Sequence, residues 1–260
     1  MYNDYLQFAK EIALYAGKVM MDFYHDDIIL NYKEDKTVVT LVDKKINSYL
    51  IDKVKDRYSD HSVSGEEESY NNNSKYIWVC DPLDGTGMYV NHIPVFVFSL
   101  ALVYDGEPIV GVVYNVNEDK MYYSVKGGGA YCNGVKICVN ARMLGDLGYR
   151  TNIEIFSNDI IDEVLLIKEL KESSKISSIG SVARSCMAIA TGYFSCDIFP
   201  GTEHGHCDLA ASYLIVTEAG GKVTDLYGSE QRYDASIKGA IITNGISHDQ
   251  ILNIVKKYTL

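Results

Sequence analysis

Residues 77–86 read Ile-Trp-Val-Cys-Asp-Pro-Leu-Asp-Gly-Thr. Ile77 to Cys80 form a short apolar run, long enough for a buried strand. The run ends on two carboxylates, Asp81 and Asp84, three positions apart, with Pro82 fixing the backbone between them. Asp-Pro and Asp-Gly are turn dipeptides, so the strand passes directly into a bend. Such a bend lets both carboxylates, with the Leu83 carbonyl between them, face one point. Oxygen ligands of this kind suit a hard divalent cation such as Mg²⁺. Gly85 and Thr86 follow and could open a short helix, whose free N–H groups would suit phosphate oxygens.

Outward from this stretch the chain alternates between two periods. Leu6, Ala9, Ile12, Ala13, Ala16, Val19, Met20 and Phe23 fall at helical spacing and predict a helix over 3–25. Ile46, Leu50 and Val54 predict a second over 43–57. Residues 96–103, 109–114 and 121–125 read as strands divided by turn signals such as Asp105-Gly106. A hairpin turn follows at Asn133-Gly134. Beyond about residue 140 helices are expected over 160–172, 182–191, 209–219 and 248–258, with a strand over 240–243. Gly220-Gly221 is a helix stop. The pattern is a layered α/β protein of two sub-domains, an α+β part over 1–140 and an α/β part over 141–260.

Composition narrows the function. The chain has 260 residues, 47% of them hydrophobic, which is ample for a core. The formal net charge of −11 argues against nucleic acid or an anionic membrane as partner. It also means that an anionic substrate needs a local reversal of field, which bound cations provide. There is no apolar run long enough to span a bilayer and no basic stretch leading into an apolar one. Six scattered cysteines without a CxxC pair read as reduced thiols, and the expected location is cytoplasmic.

Further carboxylates flank the central stretch. Ser64-Gly65-Glu66-Glu67-Glu68 lies upstream. Asp208 lies downstream, before the helix expected from Leu209, where it reads either as a helix N-cap or as a metal ligand. In this order the residues resemble the inositol monophosphatase family. Asp81-Pro-Leu-Asp-Gly-Thr86 is similar to its D-P-[IL]-D-G-T signature, and Gly65-Glu66-Glu67 to its G-E-E. Lys33 to Asp43 is similar to its K…VT-x-x-D element. Gly127 to Gly134, Gly180-Ser181-Val182-Ala183 and Asp208 to Gly221 match its later motifs.

The resemblance implies a layered αβαβα sandwich and a cytoplasmic phosphomonoesterase that forms a homodimer and binds two or three Mg²⁺ ions. It places Glu66, Asp81, Asp84, Asp208 and the Leu83 carbonyl on the metals. Gly85 and Thr86 would bind phosphate, and Gly180 to Ala183 would line the pocket for the rest of the substrate. The proton acceptor stays open between Glu66 and the pair Thr86–Asp43.

The sequence also departs from the family. Met88 stands where Asn is usual, and Cys207 where Trp is usual. Gly201 falls where inositol phosphatases carry an acidic contact, with Glu203 close enough to substitute. His204, His206, Cys207 and Asp208 fit no common zinc spacing. Arg184 and Lys33 read as surface ion pairs or as extra phosphate contacts. The expected substrate is inositol monophosphate or a related sugar phosphate. The alternatives are an adenosine 3',5'-bisphosphate nucleotidase, a fructose-1,6-bisphosphatase or, with catalysis lost, a metabolite-binding protein.

Overall fold

The first helix, α1 (Asn3–Phe23), turns Phe8, Ala9, Ile12, Ala13, Ala16, Val19 and Met20 inward, as its 3.6-residue period requires. The computed structural model describes residues 2–24, 31–32, 38–39, 41–154, 160–202 and 204–260. After α1 come β1 (Asn31–Tyr32), β2 (Val38–Val39), α2 (Leu41–Arg57), β3 (Ser62–Gly65), β4 (Ser69–Tyr70), β5 (Tyr76–Asp84) and α3 (Thr86–Val90). Next are β6 (Val97–Tyr104), β7 (Glu107–Asn115), β8 (Lys120–Val125), β9 (Ala130–Cys132) and β10 (Val135–Lys136). The later part holds β11 (Arg150–Ile153), α4 (Glu163–Leu170), β12 (Lys175–Ser177), α5 (Val182–Ala190) and β13 (Cys196–Phe199). It ends with α6 (Gly205–Glu218), β14 (Lys222–Thr224), β15 (Ala240–Thr243) and α7 (His248–Val255).

An eight-stranded sheet runs β10-β9-β8-β7-β6-β5-β3-β4, and a five-stranded sheet runs β12-β11-β13-β15-β14. β1 and β2 form a separate two-stranded ribbon. Helices α1 and α2 cover one face of the large sheet, and α6 covers the other. Helices α5 and α6 also meet the small sheet, whose far side carries α4 and α7. The result is the αβαβα sandwich. Three buried clusters fill its interfaces, the first under α1 and α2 around Trp78 and Phe98. The middle one joins Val79, Val97 and Val113 of the large sheet to Cys186, Leu209, Ile215 and Ile242. The third lies under α4 and α7.

Two local details fix loops at the β10 edge of the large sheet. Asn133 and Gly134 both have positive φ, at 47° and 85°, as a tight hairpin between β9 and β10 demands. The Glu218 carboxylate accepts from Gly127 N (2.5 Å) and Gly129 N (2.7 Å), pinning the triple-glycine loop to the end of α6.

The sequence expectation differs from the structure at α6. The helix begins at Gly205 rather than Leu209, with His204 at the N-cap position and no side-chain capping bond. Asp208 is therefore not the cap but a first-turn residue. The cause is burial: Gly205, His206 and Cys207 are already packed inward, Gly205 against Phe199 and Ile237. Strands β3, β4 and β11 to β14 span only two to four residues each, too short for a periodic signal.

Candidate active site

Strand β5 delivers the central carboxylates. It pairs parallel with β3, setting Gly65 opposite Cys80, and antiparallel with β6. Against β6 its register shifts between Asp81 and Asp84: three steps on β5 match two on β6, from Ser99 to Val97. A bulge of this kind re-aims a side chain, here bringing two carboxylates to one side. Asp81 Oδ1 accepts Leu83 N at 2.9 Å, closing the turn around Pro82. Gly85 follows with φ +90° and caps α3. A Cβ on Gly85 would lie 2.7 Å from the Val95 carbonyl, so no other residue fits without strain.

Asp208 joins from the first turn of α6. Asp81, Asp84 and Asp208 each place a carboxylate oxygen within 4.8 Å of the others, the one such acidic group among the described residues. All three are pushed upward in pKa, first by burial and then by neighbouring charge. Asp84 is raised to about 7 despite the hydrogen bonds that oppose the shift. Asp81 and Asp208 lie in mutual hydrogen-bond contact and are both raised well above the ordinary carboxylate range. Burial and neighbouring carboxylates dominate, not a basic side chain; for Asp84 the repelling neighbour is Glu154. Carboxylates this close cannot all ionise without a cation between them, so the donor set and its charge fit a hard divalent ion.

Glu66 follows β3, and its N–H donates to Cys80 O at 3.1 Å, extending the ladder toward Asp81. Its charge raises the pKa of both Asp81 and Asp208, which sets it beside the group. Asp43, in the first turn of α2, is buried. Thr86 Oγ1 lies 3.2 Å from Asp43 Oδ1 and donates to the Leu83 carbonyl at 2.9 Å. A hydroxyl has one proton, so these two acceptors compete for it.

The turn Gly180–Ala183 grips Asp84. Ser181 Oγ donates to Asp84 Oδ2 at 2.7 Å, Ala183 N to the same oxygen at 2.6 Å and Val182 N to Oδ1 at 3.2 Å. Asp84 thus takes the free amides at the start of α5, which its charge suits. Met88 packs on Gly180. Cys207 is buried with its thiol 3.8 Å from Ser64 O.

Other candidates fall elsewhere. Gly201 has φ +104°, and a Cβ there would meet Gly239 N at 2.7 Å, so this position cannot take an acidic side chain unless the backbone shifts. Glu203 and Lys33 lie outside the described residues. Arg184 pairs with Glu118 at 2.7 Å and lines a cavity of about 360 Å³ with Pro94, Val95, Ile179 and Phe194. His206 Nε2 is 3.0 Å from Ser64 Oγ, and neither His204 nor His206 joins the carboxylate group.

Sequence reasoning missed Asn152, Glu154, Ser185 and Asp197, which lie behind the Gly180 turn. The available signal was Asn152 and Glu154 at alternate positions, one face of a strand, among apolar neighbours.

Comparison with known proteins identifies the family. The model of the inositol monophosphatase family matches residues 1–260. A fructose-1,6-bisphosphatase/inositol-1-monophosphatase of Aquifex aeolicus is 34% identical, covering 98% of this chain and 96% of its own. A protein of the same name from Thermotoga maritima is 29% identical over the same shares, 98% and 96%. The solved structure of a Thermotoga maritima IMPase superposes with a TM-score of 0.87 at 26% identity, covering 98% of this chain and 97% of that one.

Proposed function

The chain belongs to the inositol monophosphatase family, and on that premise we propose that it hydrolyses inositol monophosphate or a related sugar phosphate with Mg²⁺. Phosphomonoester hydrolysis is the family's activity. The observation that carries the proposal is the Asp81–Asp84–Asp208 group, with Asp81 and Asp84 buried, Asp208 half-buried, and carboxylate oxygens within 4.8 Å of each other. These residues, with Glu66 and the Leu83 carbonyl, would hold two or three ions. Bound there, the ions polarise the phosphoryl group and offset charge growing on the leaving oxygen.

The remaining roles fall to side chains and amides of the chain itself. Gly85 and Thr86 present backbone N–H groups to the phosphate oxygens. Glu66, just past the end of β3, is the residue proposed to orient the attacking water. Thr86 Oγ1 can pass a proton to Asp43, so this pair is the competing acceptor. Gly180 to Ala183, by holding Asp84, form the wall on the leaving-group side, and Glu203 stays a proposed substrate contact from its place in the sequence alone.

A second substrate, fructose 1,6-bisphosphate, enters because the inositol reading is weakened at Gly201. Its backbone leaves no room for the acidic side chain expected to contact inositol there. Two relatives are also named for both activities. The test is phosphate release with Mg²⁺, and with EDTA, from inositol 1-phosphate, fructose 1,6-bisphosphate, adenosine 3',5'-bisphosphate and sugar monophosphates. Release from the first two, abolished by EDTA, is expected. Preference for the adenosine substrate would overturn the sugar reading, and no release while Mg²⁺ binds would overturn both.

Two wider proposals accompany this one. All six cysteines are free and four are buried, which suits a reducing compartment and supports a cytoplasmic location. No helix among the described residues is long and apolar enough to cross a membrane. A homodimer is the proposed assembly, tested by light scattering on the purified protein.

A further inference from the structure

Behind the Gly180 turn lies a second acidic layer that the reaction above does not use. Asn152 of β11 sits opposite Asp197 of the parallel strand β13. Glu154 stands just past the end of β11. Asn152 and Asp197 are 0% exposed and Glu154 is 3% exposed. Two carboxylates buried this deeply cost stability unless they are bonded or neutralised. Here each is bonded toward the turn that holds Asp84.

The bonds form one connected set. Asn152 Nδ2 donates to Glu154 Oε1 at 2.7 Å and to Asp197 Oδ1 at 3.0 Å. Its own Oδ1 accepts Ile179 N at 3.0 Å. Both oxygens of Glu154 lie within 3.2 Å of Gly180 N. Asp197 Oδ2 makes a short contact with Ser185 Oγ, and Ser185 Oγ reaches the Val182 carbonyl at 2.8 Å.

Ser185 has one hydroxyl proton and two acceptors, so both contacts are hydrogen bonds only if Asp197 supplies the second proton. Burial and the nearby Glu154 raise Asp197 to about 8, consistent with a neutral carboxylic acid at pH 7. Asp197 then donates to Ser185, which donates to Val182, while Glu154 and Asn152 take the N–H groups of Gly180 and Ile179. Residues 179, 180 and 182 are thereby fixed from behind, and in front of them Ser181, Val182 and Ala183 bond Asp84.

We propose that Glu154 and Asp197, joined by Asn152 and Ser185, are positioning residues that set the orientation of Asp84 toward the divalent cation through the Gly180–Ala183 turn. The proposal rests on the reading of Asp84 as a ligand. The test measures Mg²⁺ binding to the full-length chain by calorimetry without substrate, beside kcat and KM for Glu154→Ala, Ser185→Ala and Asp197→Asn. Glu154→Ala and Ser185→Ala should weaken Mg²⁺ binding about 10-fold or more, the usual effect of losing a group that orients a ligand. Asp197→Asn should stay within about 3-fold of wild type, because its amide N–H replaces the acid's O–H toward Ser185. Should Glu154→Ala fail to fold, Ser185→Ala, which removes one oxygen, still decides.

Folded variants that bind Mg²⁺ like the wild type would overturn the positioning role alone. A wild-type chain that binds Mg²⁺ but hydrolyses nothing would overturn the substrate reading and leave the calorimetry decisive. A wild-type chain that binds no divalent cation would overturn the ligand assignment, and the positioning role with it.

Discussion

Asp84 accepts hydrogen bonds from Ser181, Val182 and Ala183 while facing Asp81 and Asp208. Its charge is held by the start of α5 on one side and opposed by carboxylates on the other, a conflict that a cation resolves. Asp84→Asn should lower turnover by at least about 1000-fold, because the ligand charge is lost while the shape is kept. In EDTA its melting temperature should fall below that of the wild type, because the amide nitrogen cannot accept from the N–H and O–H donors of Ser181, Val182 and Ala183 that both Asp84 oxygens serve. Phosphate release and a thermal melt check both, and near-normal activity would sink the ligand role. Titration gives a second prediction for the metal-free chain. Asp84 and Asp197 are raised to about 7 and about 8 from ordinary carboxylate values. A raised folded-state pKa contributes stability below the unfolded value and loses it as pH rises through the folded value. Between pH 6.5 and 8.5 in EDTA the melting temperature should therefore fall. The lowered His61, His206 and His248 act in the opposite sense only as pH drops below about 6.5. Added Mg²⁺ should stabilise more at pH 8 than at pH 6, because its ligands must be deprotonated.

At the scale of elements, the site depends on how closely α6 approaches the large sheet. Gly111 of β7 lies under this helix, and a Cβ there would come within 2.9 Å of the Ala211 carbonyl and 3.2 Å of its Cα. Backbone cannot yield as a side chain can, so Gly111→Val should push α6 outward. A loss of about 1–3 kcal/mol is expected for overpacking of this kind. Since α6 carries Asp208, Mg²⁺ binding should weaken along with the melting temperature. A destabilised variant that bound Mg²⁺ normally would show that Asp208 moves independently of the helix body.

For the whole molecule, the middle cluster is the decisive feature. Side chains of both sheets and of α5 and α6 share it, from Val79 and Val113 to Phe199 and Ile242. We propose a division near residue 140 into two sub-domains by sheet, with a common core that makes them unfold together. Trp78, the single tryptophan, reports on the cluster under α1 and α2. Its fluorescence and the far-UV circular dichroism should give coincident unfolding curves in denaturant. Separated midpoints would show that the two halves unfold independently.

Much of this was legible in residue order alone. Period set the long helices and central strands, because an amphipathic face repeats at a fixed interval whatever it packs against. The bend at Asp81-Pro82-Leu83-Asp84-Gly85 was legible because proline, aspartate and glycine restrict backbone locally. Tertiary structure decided what depends on distant partners. Helix α6 starts at Gly205 because burial there outweighs the missing cap. The Gly180 turn meets Asp84 across about 100 residues of chain. Asn152, Glu154 and Asp197 became a connected set only when β11 paired with β13. Burial, register and mutual charge repulsion are properties of groups brought together from different elements, and no local pattern of residues encodes them.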